Sequence, residues 1–135
     1  MPPVAQDLPD TLGLREVKYS ERTPPARRLK VARDLLAAGR IYDALDLFLV
    51  AGDEQAIGEI RARAVREGLP VILLTLKRSG RSPRPDEWSA AGGAALAAGR
   101  WREAFRCFRE AQDEAGLARV KEKLPDYDLY TPQGK

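Results

Sequence analysis

The chain contains two related copies of one segment, and this internal repeat constrains its fold more than any other feature. The segment LLAAGRIYDALDLFLVAGDE occupies positions 35–54, and ALAAGRWREAFRCFREAQDE occupies positions 95–114. At this offset of 60 residues, ten positions between 36 and 54 have an identical counterpart. Repetition of a helix pair at a fixed period is typical of an α-solenoid, in which each unit buries its apolar face against its neighbours.

The rest of the chain also favours helices, because apolar residues recur at every third or fourth position between glycine-containing breaks. The predicted helices cover about positions 26–38, 41–51, 54–67, 69–80, 86–98, 101–111 and 114–123. The apolar run VILLTL at 71–76 also fits a buried strand, but a lone strand would leave its backbone groups without pairing partners. The predicted fold class is therefore all-α, with about seven helices in antiparallel hairpins stacked as a short α-solenoid.

The chain divides into three predicted parts. Residues 1–25 contain five prolines and little periodicity, which indicates an extended or partly disordered N-terminal arm. Residues 26–124 form the helical repeat domain, and residues 125–135 form a C-terminal tail.

The last predicted helix has an apolar side with no following helix to cover it, formed by Leu117, Val120 and Leu124. Tail residues Tyr127, Leu129 and Tyr130 could fold back over this side. Alternatively, this end of the domain is an interface for a second copy of the chain or for another protein.

The composition narrows the chemistry available to the protein. The chain has no histidine, which removes the commonest general base, and its one cysteine, Cys107, can form neither an internal disulfide nor a zinc cluster. We therefore expect no enzymatic activity, no metal and no cofactor.

No window approaches the ~20 apolar residues of a membrane span, and the first residues do not resemble a signal peptide, so we expect a cytoplasmic protein without a membrane partner. Abundant alanine and an excess of arginine over lysine suggest a bacterial genome.

Several side chains of the repeat are expected in the core. The small residues predicted to let the helices of a hairpin approach are Ala44, Ala51, Ala104 and Ala111. The larger ones predicted to fill the space between successive hairpins are Ile41, Phe48, Trp101 and Phe108. The glycine pair Gly92–Gly93 lies inside a predicted helix, where each glycine costs roughly 1 kcal/mol relative to alanine, so a close packing contact is expected there. Cys107 is interpreted as a small, partly buried hydrophobe, and Arg61 is expected to face outward.

The repeat carries a second pattern at these positions. The first copy reads Gly39, Ile41, Ala44, Phe48 and Ala51, and the second reads Gly99, Trp101, Ala104, Phe108 and Ala111. In the second copy, Trp88, Ala91 and Gly92 precede this pattern. These residues resemble the tetratricopeptide repeat (TPR) family. The chain departs from that family in having Arg28 at the tryptophan position of the first copy, Ala56 and Gly116 where the family has a proline, and a period of 60 rather than about 34 residues.

The resemblance implies a TPR-like module that binds another protein, with first helices lining a groove that accepts a peptide or a partner helix. The groove positions that it implies are Leu29, Arg33, Leu36, Ser89, Gly93 and Leu96. Arg33 is the only charged residue among them and could meet an acidic group or a carboxyl terminus, although a solvated arginine is the simpler interpretation. The predicted function is therefore that of a non-catalytic adaptor or scaffold, with a homo-oligomer as a further expectation.

An alternative function is nucleic-acid binding by the N-terminal arm and the first helix. Residues 15–40 contain eight basic and three acidic residues, a balance that could attract phosphates. No aromatic side chains that could stack on bases are interleaved with these charges, so a solvated basic face is favoured over a nucleic-acid site.

Overall fold

The computed structural model describes residues 24–124, and in this part of the chain every regular element is a helix. The helices are α1 (Pro25–Ala37), α2 (Ile41–Ala51), α3 (Glu54–Glu67), α4 (Pro70–Arg78), α5 (Pro85–Ala97), α6 (Trp101–Ala111) and α7 (Glu114–Lys121). The predicted all-α class is confirmed, and the ambiguous run at 71–76 lies within helix α4. Helix α7 ends two residues earlier than predicted. The predicted arm, apart from residues 24 and 25, and the tail at 125–135 lie outside the described residues.

The chain forms two compact units, Met1–Ile60 and Arg61–Lys135, with the boundary inside α3. In the first unit, α1 and α2 pack together as a hairpin. The side chains buried there are Val31, Ala32, Leu35, Ile41, Ala44, Leu45, Leu47, Phe48, Ala56, Ile57 and Ile60.

The turn between α1 and α2 is built from the first repeated residues. Gly39 adopts a left-handed conformation with φ of +83°, and the Arg40 N–H donates to the Leu35 carbonyl at 2.9 Å. Gly99, with φ of +78°, and the Arg100 N–H, which donates to the Ala95 carbonyl at 2.9 Å, repeat this geometry after α5. A bond of this type satisfies a carbonyl that the end of a helix leaves unpaired. The shared AAGR sequence therefore encodes one hairpin turn used twice.

The second turn of the repeat is also the same in both copies. The Ala56 N–H donates to Asp53 Oδ1 at 3.1 Å at the start of α3, and the Gly116 N–H donates to Asp113 Oδ1 at 3.0 Å at the start of α7. Each aspartate thus caps a helix, as its side chain satisfies a backbone donor that has no partner within the helix. The break between α2 and α3 therefore also contains the N-cap of α3.

In the second unit, α5 and α6 form the second hairpin, and α7 packs on both of its helices. Their buried cluster consists of Ala95, Ala104, Phe105, Phe108, Val120 and Leu124, with Leu96 and Leu117 packed against it. The expectation that no helix covers the apolar side of α7 is wrong, because its residues belong to the same core as α5 and α6.

The Phe108 ring lies between two glycines. A methyl group at Gly92 on α5 would come within 2.7 Å of the ring, and one at Gly116 on α7 would overlap it more severely. Close packing is therefore confirmed as the reason for Gly92. Close packing does not explain Gly93, because a methyl group added there would meet open space.

Polar contacts tie α5 and α6 to the α3–α4 segment of the second unit. The Arg61 guanidinium donates to both carboxylate oxygens of Glu87, with Nε to Oε2 at 2.9 Å, and Glu87 also accepts from the Arg84 N–H at 2.9 Å. Arg100 donates to the carbonyls of Glu67 and Gly68. The prediction that Arg61 faces outward is wrong, because its side chain is only 25% exposed and is held by this carboxylate.

Three of the predicted core positions are also wrong. Trp101 is 39% exposed, Ala51 is exposed and Ala111 is only half-buried. All three are terminal residues of α2 and α6. Ala44, Ala104, Phe48, Phe108 and Ile41 are buried as predicted, and Cys107 is more deeply buried than predicted, with no exposed surface.

Candidate functional site

The six residues predicted to bind a partner lie on α1 and α5, one set in each unit. Leu29 and Leu36 are half-buried on α1, and Arg33 is exposed between them. Ser89, Gly93 and Leu96 are half-buried on α5.

Arg33 and Leu36 lie together on a concave surface of the first unit, which we name the α1–α3 groove. It has a volume of about 220 Å³ and is lined by Arg33, Leu36, Phe48, Asp53, Gln55, Ala56 and Glu59. Its apolar lining residues are the half-buried Leu36 and the buried Phe48 and Ala56, and its other lining residues are polar. The groove can therefore receive a short apolar side chain flanked by polar groups.

The charges around Arg33 bear on the expectation that this residue could meet an acidic group of a partner. The Arg33 guanidinium lies 3.6 Å from Asp53 Oδ2, and the same groove contains the carboxylate of Glu59. One guanidinium thus shares the surface with two carboxylates. An amide or a basic group of a ligand would suit this surface better than a free carboxylate.

The predicted residues on α5 mostly make contacts inside the second unit. Ser89 Oγ donates to Asp113 Oδ2 at 2.9 Å, which joins α5 to the cap of α7, and Leu96 packs on the core cluster. Only the position of Gly93 is open to solvent. Two of the three α1 residues, Arg33 and Leu36, therefore line one surface, which Leu29 does not line, and the α5 residues line no common surface of this kind.

A second concave surface lies along α6 and was not identified from the sequence. We name it the arginine groove; its lining residues are Leu74, Arg102, Phe105, Arg106, Arg109 and Glu110, and its volume is about 500 Å³. The arginines at 102, 106 and 109 are spaced so that they lie on one face of α6, and all three are exposed. The sequence does contain a signal for this surface, which is a difference between the two copies. The residues of the first copy that correspond to these three arginines are Tyr42, Asp46 and Leu49.

A third depression surrounds the exposed Trp101 at the start of α6. It has a volume of about 690 Å³ and is lined by Gly99, Arg100, Trp101, Arg102, Glu103, Lys123 and Leu124. Arg100 and Glu103, which both line this depression, form an ion pair with each other.

The perturbed titratable groups of the described region all have structural causes. Burial raises the pKa of the Cys107 thiol to about 12, which makes it a poor nucleophile. The hydrogen bonds from Arg61 lower the pKa of Glu87 to about 2, and those from the Gly116 N–H and Ser89 lower the pKa of Asp113.

Over residues 24–124, no group of three His, Cys, Asp or Glu side chains is arranged to hold a metal ion. Within the same residues, no helix has the length and apolar character needed to cross a membrane.

No protein-family model matches the chain, and no curated protein and no solved structure shows significant similarity to it.

Proposed function

We propose that the protein is a non-catalytic protein–protein interaction module, an adaptor or scaffold with a TPR-like α-solenoid arrangement of its helices. In this proposal it binds a peptide or a helix of another protein in the α1–α3 groove. The repeated hairpin, with identical turns at Gly39 and Gly99, supports the helical-repeat assignment. The single buried cysteine is compatible with a reducing, cytoplasmic setting.

The observation that carries the proposal is that Arg33 and Leu36, two of the residues predicted to bind a partner, share one concave surface with the start of α3. The partner that fits presents one apolar side chain to Leu36, Phe48 and Ala56. A hydrogen-bond donor beside that side chain would meet the carboxylates of Asp53 and Glu59.

Site-specific cross-linking tests this proposal even when the identity of the partner is unknown. A photoreactive amino acid at Gln55, an exposed residue of the groove, is expected to give a discrete protein adduct in cells of the native organism. The same amino acid at Val50, which is exposed on α2 and does not line the groove, is the matched control. The Leu36→Arg substitution should abolish the Gln55 adduct, because it places a charged side chain among the apolar lining residues.

An adduct that forms equally at Val50, or that survives Leu36→Arg in a folded protein, would exclude the groove as the binding site. An adduct that nuclease treatment removes would instead favour the alternative function of nucleic-acid binding. The helical circular dichroism of Leu36→Arg should match that of the wild type, which separates a loss of binding from a loss of folding.

A further inference from the structure

The arginine groove is a second surface whose chemistry selects a particular partner. Helix α6 buries one face, with Ala104, Phe105, Cys107 and Phe108, and presents Arg102, Arg106 and Arg109 on the opposite face. These three arginines lie at positions i, i+4 and i+7, so they form a row about 10 Å long on the helix surface.

The carboxylates near this row are engaged by other cations. Glu110, the acidic residue of the groove, accepts from Lys77 Nζ at 3.0 Å, and Glu103 pairs with Arg100. Among residues 24–124, neither Arg106 nor Arg109 forms an ion pair. The groove therefore keeps a positive surface although acidic residues are present on the same helix.

The floor between the arginines is apolar. Leu74 from α4 is half-buried, and Phe105 from α6 is only 8% exposed. A partner that fills this groove must bring carboxylates for the arginine row and an aliphatic side chain for the floor. An acidic amphipathic helix has both at compatible spacing, because glutamates at i, i+4 and i+7 share one face with a leucine at i+3.

We infer that the arginine groove binds an acidic amphipathic helix of a partner protein, with Arg106 and Arg109 pairing with its carboxylates. Nucleic acid fits less well, since the Phe105 ring is only 8% exposed and cannot stack on a base. A second copy of this chain also fits less well, because the matching stripe of α2 has one carboxylate, Asp46, for three guanidinium groups.

The test uses the full chain and a fluorescein-labelled helical peptide of about 15 residues, with glutamates at i, i+4 and i+7 and a leucine at i+3. At about 10 mM salt, where the Debye length is about 30 Å, fluorescence anisotropy should show saturable binding. The double substitution Arg106→Glu and Arg109→Glu should weaken this binding about tenfold, since it replaces two attractions by repulsions.

Two matched controls separate the groove from the total charge of the protein. The double substitution Arg66→Glu and Arg119→Glu changes the net charge equally at exposed residues outside the groove, and binding should stay within about twofold of the wild type. A peptide with glutamine in place of each glutamate should bind at least tenfold more weakly than the acidic peptide.

Several results would overturn the inference. Equal weakening in both charge variants would mean that the peptide senses net charge alone, and equal binding of the glutamine peptide would mean that it senses apolar surface alone. Tighter binding of oligothymidylate of about 16 nucleotides, lost in the Arg106/Arg109 variant, would identify a nucleic-acid surface. Self-association in sedimentation, lost in the same variant, would make a second copy the occupant.

Leu36→Arg should not change peptide binding, so failure of the α1–α3 groove proposal would be distinguishable from failure of this one.

Discussion

The two copies of the repeat, residues 35–54 and 95–114, share their turns and differ on their outward faces. Gly39 and Gly99 end their helices with the same hydrogen bonds, and Asp53 and Asp113 cap the next helices in the same way. The outward residues of α2 include the exposed Tyr42 and Val50, whereas the outward face of α6 is a row of arginines. The residues that are identical thus build the hairpin, and the residues that differ determine what each hairpin can bind.

The interiors of the two copies also differ around the repeated phenylalanine. Phe108 is flanked by Gly92 and Gly116. At the offset of 60 residues, these glycines correspond to the alanines Ala32 and Ala56 of the first unit. Ala32 is fully buried and Ala56 almost so. At these two positions the second copy therefore has less side-chain volume than the first.

The largest expected effect comes from giving the second copy the residues of the first. The double substitution Gly92→Ala and Gly116→Ala should destabilise the protein by about 3 kcal/mol. Overpacking costs up to about 3 kcal/mol at each site, and helix propensity recovers up to about 1 kcal/mol at each. Urea unfolding monitored by circular dichroism measures the change. Gly93→Ala, where the new methyl group meets open space, should instead stabilise by about 0.5–1 kcal/mol. A double variant as stable as the wild type would show that the Phe108 ring can move aside.

A smaller effect is expected from the ion pair between Arg61 and Glu87 in the second unit. Glu87 is held by Arg61 with 12% of its side chain exposed, and the corresponding residue of the first copy is the basic Arg27. Glu87→Gln should cost about 2 kcal/mol at pH 7, because it leaves the half-buried Arg61 guanidinium without its charged partner.

The pH dependence of this variant has a defined sign. The pKa of Glu87 in the folded protein is about 2, below its ordinary value of 4.5, so the stabilisation is complete above pH 4.5 and is lost as the pH falls towards 2. Urea midpoints of wild type and Glu87→Gln should therefore converge between pH 4.5 and pH 2. Asp86→Asn, at the adjacent exposed carboxylate, is the control and should change stability by less than about 0.5 kcal/mol. A constant difference between the wild type and Glu87→Gln at all pH values would contradict the assignment.

The two helix caps should differ by less than the features above. Asp53→Ala and Asp113→Ala should each cost about 1 kcal/mol through loss of the N-cap. Asp113→Ala should cost up to about 1 kcal/mol more, because Asp113 also accepts from Ser89 Oγ. A double-mutant cycle of Asp113→Ala with Ser89→Ala measures this extra part, and Asp113→Asn should retain most of the cap. Equal costs at both aspartates would mean that the Ser89 hydrogen bond contributes nothing to stability.

The turns, helix ends and helical class can be predicted from the sequence because they depend on local chemistry. Glycine in a left-handed conformation, aspartate at an N-cap and apolar spacing each act within a few residues, so the breaks predicted around Gly39 and Asp53 and the helix predicted over 71–76 are correct. The errors concern contacts between residues distant in the sequence. Arg61 meets Glu87 across 26 positions, and Trp101 is exposed although its repeat counterpart Ile41 is buried.

The surfaces that could bind a partner are only partly predictable from the sequence for the same reason. The resemblance to the tetratricopeptide repeat family implies groove positions on α1, and of these Arg33 and Leu36 line one concave surface. On α5 the same resemblance implies Ser89 and Leu96, which the structure uses for internal contacts. Whether a half-apolar helical face meets solvent or another helix depends on its neighbours in space, which a single sequence does not specify.

The smallest expected effect on stability is at Arg33, and this makes the residue useful for testing binding. Arg33 is 68% exposed, its contact to Asp53 is long at 3.6 Å, and Asp53 keeps its cap contact with the Ala56 N–H without it. Arg33→Ala should therefore change the free energy of unfolding by less than about 0.5 kcal/mol, with little dependence on salt. Urea unfolding at low and high salt measures this. A loss above about 1 kcal/mol would make Arg33 a structural residue, and any effect of its substitution on partner binding would then reflect folding. With stability unchanged, a change in the Gln55 adduct caused by Arg33→Ala would be attributable to contact with the partner in the α1–α3 groove.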